Sequence, residues 1–122
     1  EEGLTTVAEA LDFVDRTEER FYEAELYRLK GTLTLQSQVK SHKSKVEEAE
    51  GCFQKAIDIA RKQSAKSLEL RATTSLARLW QSQSKQIEAR NMLSEIYNWF
   101  TEGFDTKDLK EAKALLEELS RL

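Results

Sequence analysis

Residues 76–96 read LARLWQSQSKQIEARNMLSEI. Leu76 and Ala77 stand side by side, and Trp80 follows three residues later. After a polar break, 81–86, Ala89, Leu93 and Ile96 recur at three- and four-residue spacing. Residues three and four apart share one face of an α-helix, which turns every 3.6 residues. The stretch therefore reads as helix, turn, helix. Ala77 is small among larger neighbours.

The rest of the chain has the same character. Its 122 residues include no proline and four glycines; 34% are charged and 39% hydrophobic. Glu, Lys, Leu, Ala, Arg and Gln dominate, all good helix formers, and nothing forces a break in a helix interior. The expected fold class is all-α, in one domain, 1–122. The 19 basic and 22 acidic side chains are interspersed, with a net charge of −3. That leaves no basic stripe of the kind a nucleic acid requires. No apolar run is long enough to cross a bilayer. The chain opens Glu1-Glu2-Gly3, without Met or a basic leader, which suggests a domain cut from a longer protein. The single Cys52 has no disulfide partner and no Cys or His at metal-ligand spacing. A reducing, cytoplasmic setting with no cofactor and no metal is expected.

Apolar periodicity places helices at 4–15, 19–37, 46–62, 66–82, 86–100 and 106–121. Thr5 or Thr6 would cap the first. Gly31 in the second costs about 1 kcal/mol relative to Ala, which a closely packed neighbour would explain. The polar segment QSQVKSHKSKV, 36–46, reads as a long loop. In the fourth helix Leu68, Ala72, Leu76, Ala77, Leu79 and Trp80 share one arc. Arg71, Thr74, Ser75, Arg78, Gln81 and Ser82 share the opposite one. Gly103 suits the end of the fifth helix, and Asp105 or Thr106 the cap of the sixth.

Residues 76–96 resemble the tetratricopeptide (TPR) repeat, whose signature is W-x2-L-G-x2-Y followed by A-x3-F. Leu76 takes the Leu position, Ala77 the Gly, Trp80 the aromatic, and Ala89 with Leu93 the A-x3-F pair. Thr73 stands in place of the Trp, Lys30 in place of the first repeat's Leu, and the closing Pro is missing. Internal repetition supports the resemblance. At an offset of 46, Ala10 pairs with Ala56, Asp12 with Asp58, Glu23 with Glu69 and Gly31 with Ala77. At an offset of 40, Ala49 pairs with Ala89 and Phe53 with Leu93. The family period is roughly 34, so either the extra residues lie elsewhere in the alignment or the linkers here are longer. The resemblance implies a TPR-like α-solenoid of antiparallel helix pairs, about six helices in all. Its first helix would lack a partner. Its last would be a cap, with Lys107, Lys110, Lys113, Glu117 and Glu118 in solvent.

AKSLELRATTSLARLW, 65–80, together with WFTEGFDTKDLKEAKALLEEL, 99–119, resembles a second group. These are the C-terminal helical-repeat regions of large bacterial regulators, adenylate/guanylate cyclases and predicted ATPases. The resemblance implies a non-catalytic regulatory tail that binds a protein or peptide, or other domains of its parent chain. Lys107 stands where that group often has Pro. No catalytic residues come with the resemblance.

The candidate chemistry is correspondingly sparse. His42 lies in a polar segment, and Cys52 beside Phe53 reads as a small core residue. An enzyme would need the two adjacent in a cleft. Lys40, His42, Lys43 and Lys45 make a small basic patch without aromatic interleaving. Glu47, Glu48 and Glu50 read as exposed helix charges rather than metal ligands. In TPR arrays the first helices of each pair line a groove. The resemblance therefore points to Arg28, Thr32, Arg71, Thr74, Arg78 and Gln81 as partner-binding residues. Arginine forks suit the carboxylates of a peptide. The groove lacks the Asn of the chaperone-tail carboxylate clamp. A second expectation is a homodimer built on the apolar edge of Leu4, Val7, Leu11 and Phe13.

Overall fold

The helix at the centre of the molecule is α3, Lys66–Ser82. In the computed structural model, which describes residues 22–38 and 41–121, α3 packs against all the other helices. These are α1 (Glu23–Gln36), α2 (His42–Lys62), α4 (Gln86–Tyr97) and α5 (Lys107–Leu119). No strand occurs among the described residues, so the protein is all-α there, with five helices. The helix expected at 4–15, with its cap and its apolar edge, lies outside the described residues.

Each helix packs on the next, and α1 packs on α3 and α3 on α5. Among the described residues α2 and α4 do not pack on each other. The result is a layer of three helices, α1, α3 and α5, backed by α2 and α4. One kind of turn builds the middle of this arrangement twice. The amide of Ala65 donates to the Ala60 carbonyl at 2.9 Å and that of Ser64 to Arg61 at 3.1 Å. Lys85 donates to Trp80 at 2.9 Å and Ser84 to Gln81 at 3.1 Å. This pair of bonds is a Schellman motif, which satisfies carbonyls that the helix end leaves open. Its left-handed residue is usually glycine. Here it is serine both times, Ser64 at φ 55° and Ser84 at φ 64°. Across the first turn, Glu69 accepts from Arg61 at 3.0 Å and lies 3.5 Å from the Lys66 ammonium.

Helix boundaries differ from expectation where no apolar stripe marks them. α2 begins at His42, not 46, because Ser41 caps it: its hydroxyl accepts from the Ser44 amide at 3.2 Å. That first turn is mostly exposed and needs no apolar face. α4 stops at Tyr97, short of 100. Trp99 leaves the helix to stand edge-on to Phe100, centroids 5.1 Å apart. Gly103, at φ 79°, therefore serves the entry to α5 rather than the exit from α4. Thr106 holds the N-cap position of α5, but its hydroxyl donates to the Gly103 carbonyl at 2.8 Å instead of capping the helix.

The core falls into two clusters on either side of α3. Ala49, Phe53, Ala56 and Ile57 of α2 meet Ala72, Leu76 and Leu79. Leu70 and Ala77 meet Ala89, Leu93 and Ile96 of α4 and Leu109, Ala112, Leu115 and Leu119 of α5. Trp80 and Met92 pack against both. Each fully buried Leu or Phe contributes about 1.5–3 kcal/mol. Several alanines are among the most deeply buried residues, with Ala77 at 0% exposure. At Gly31 the backbone of α1 comes up against the Phe53 ring of α2. A Cβ there would lie 2.6 Å from Phe53 Cε1, which accounts for a glycine in mid-helix.

A candidate interaction face on the three-helix layer

The N-terminal halves of α1, α3 and α5 place side chains of opposite charge side by side. Arg71 of α3 reaches both neighbours. Its Nη1 donates to Glu25 Oε1 at 3.1 Å, and its Nη2 to Asp108 Oδ2 at 2.9 Å. Its Nε also donates to Asp108, at 3.2 and 3.3 Å. Glu25 is shared: Arg28 Nη2 donates to it at 2.6 Å and Arg28 Nε at 3.1 Å. One chain of charge-assisted hydrogen bonds thus crosses all three helices. Burial pushes the Glu25 carboxyl up, but the hydrogen bonds and charges of Arg28 and Arg71 more than reverse this. Its pKa lies below the ordinary 4.5. The hydrogen bond to Asp108 raises the pKa of Arg71 against the opposing effect of burial, with Glu25 adding to the rise.

Beyond this clasp the layer opens into two cavities that meet at Arg78. The first, about 450 Å³, lies where α1, α2 and α3 converge. Leu35, Val46, Phe53 and Leu79 give it apolar walls, and Arg28, Arg78 and His42 lie at its polar edge. The second, about 530 Å³, lies between α3 and α5 and is lined by Arg78, Glu111, Glu117, Glu118 and Arg121. Arg78 is only loosely matched. Its Nη2 is 3.9 Å from Glu111, and its side chain is 52% exposed.

The six residues expected in the groove therefore have different fates. Arg28, Thr32 and Arg78 come together around the first cavity. Arg71 lies on the same layer but is committed to the clasp. Thr74 is buried at 5%, and its hydroxyl donates to the Leu70 carbonyl at 2.8 Å. It presents nothing to a partner, because α3 is enclosed on more sides than a surface helix. Gln81 is half-buried and lines neither cavity. The residues missing from the expectation are Phe53, Leu79 and the carboxylates of α5. Asp108 gave no signal, but the offset of 46 places Glu25 opposite Arg71. The two are joined by a 3.1 Å hydrogen bond, so that pair was there to be read.

The remaining candidates stand apart. His42 and Cys52 are ten residues apart on one helix, about 15 Å along its axis. Burial pushes the Cys52 thiol up, and the thiolate needed for nucleophilic chemistry is disfavoured. Among the described residues no group of three or more His, Cys, Asp or Glu could hold a metal ion. None of the described helices is long and apolar enough to cross a membrane. His42 and Lys43 are exposed on the first turn of α2, and the five charged residues expected in solvent on α5 are exposed. A further cavity, about 620 Å³, lies beside the 98–106 connection, where Lys66 Nζ sits 5.5 Å from the centre of the exposed Trp99 ring.

No model of a known protein family, no curated protein and no solved structure matches the chain.

Proposed function

We propose that this chain is a TPR-like interaction domain. In this reading it is a non-catalytic regulatory module of a bacterial, cytoplasmic signalling protein. It takes a peptide segment, or a neighbouring domain of its parent chain, on the α1–α3–α5 layer. The observation that carries the reading is the pair of cavities meeting at Arg78. An extended segment crossing the three helices would meet apolar walls, a guanidinium and then carboxylates. The contact of alternate helices also supports it, since in TPR arrays the first helices of successive pairs stand side by side. The sequence resemblances supply the bacterial and regulatory part of the proposal.

A photo-crosslinking side chain tests the choice of face. Placed at Ser75, which lines the first cavity, it should capture a bound segment or a parent domain. Placed at Glu88, exposed on α4, it should not. Equal capture from both positions would sink the assignment of this layer.

A further inference from the structure

Resting on that reading, we propose that the segment is charge-patterned: an apolar side chain next to a carboxylate, then a basic residue about three positions on. The apolar side chain enters the α1–α2–α3 cavity. Four of its lining residues are aliphatic or aromatic and none is acidic. The carboxylate pairs with Arg78. Arg28 is already held by Glu25 through both Nε and Nη2. Among the described residues Arg78 has only Glu111, at 3.9 Å, and keeps a fork free for a bidentate partner. The basic residue goes to the second cavity, where, beyond the Arg78–Glu111 pair, Glu117 and Glu118 outnumber Arg121. Packed helices lie about 8–10 Å apart and an extended chain rises about 3.3 Å per residue. One step across the layer therefore spans about three residues.

Glu111 has a particular place in this scheme. It sits 3.9 Å from both Arg78 and Lys107, and holds the position that the ligand carboxylate takes. Removing its charge should help binding rather than harm it.

The probe is a labelled peptide with the core Leu-Asp-Ala-Ala-Lys, followed by fluorescence anisotropy. Replacing Leu by Ser, or exchanging Asp and Lys, should weaken binding about tenfold or more. Arg78→Glu should weaken the original peptide by a similar factor and favour one with Lys in place of Asp. Glu111→Gln should tighten the original a few-fold. Circular dichroism confirms that each variant is folded, which the exposure of Arg78 and Glu111 favours. A neutral Leu-Asn-Ala-Ala-Gln core binding equally well would overturn the pattern, as would no binding of the patterned peptide at millimolar concentration. Ser75→Phe, which fills the first cavity, separates the two readings. If binding ignores charge but is lost in Ser75→Phe, the pattern falls and the groove stands. If it survives Ser75→Phe, both fall.

Discussion

Gly31 and Gly51 both lie inside helices, yet one added methyl should move stability in opposite directions. At Gly31 the new carbon would meet the buried Phe53 ring at 2.6 Å. Overpacking of this kind costs about 1–3 kcal/mol, more than the helix-propensity gain recovers, so Gly31→Ala should lower the melting temperature. At Gly51 nothing lies within 4 Å, and Gly51→Ala should stabilise by about 0.5–1 kcal/mol. Urea melts of the two variants check the pair. Glu25 gives a second prediction. Its folded pKa is held below the ordinary 4.5, so its contribution is complete above about pH 4.5 and fades as pH falls through the folded value. The thermal midpoint should drop below pH 4.5, and Glu25→Gln should flatten that drop while lowering stability at neutral pH. A pH profile unchanged by Glu25→Gln would contradict the clasp. At this scale the sequence was only partly readable. A glycine in mid-helix announced its close neighbour. Thr74 did not announce its burial, because a hydroxyl bonded to the preceding turn can go inside a helical layer at little cost.

The elements themselves were legible wherever an apolar stripe ran to their ends. α3 was expected at 66–82 and is found at Lys66–Ser82. Ends set by local hydrogen bonding were harder to place, as at Ser41 and Thr106. The two turns flanking α3 carry their own prediction. Ser64 and Ser84 occupy left-handed backbone, which costs an ordinary residue roughly 1–2 kcal/mol and glycine little. Ser64→Gly and Ser84→Gly should each stabilise, by up to about 1 kcal/mol after the greater unfolded-state freedom of glycine is counted. Because the turns lie at opposite ends of α3, the two gains should add. Differential scanning calorimetry of the single and double variants measures both the gain and its additivity.

For the whole molecule, the all-α class was legible in a composition without proline and rich in helix formers. The charge clasp across three helices was not, since Asp108 and Arg71 are 37 residues apart and belong to no shared repeat offset. The two halves of the core meet at Trp80, whose indole Nε1 donates to Glu50 at 2.7 Å. The chain holds one other tryptophan, Trp99, which is 57% exposed. With Trp99→Phe, tryptophan emission comes from a single residue at the seam between the two core clusters. The wavelength shift of Trp80, set beside helicity recorded by circular dichroism, would thus time the parting of the halves against the loss of each. The domain carries its own optical gauge of cooperativity, with no label added.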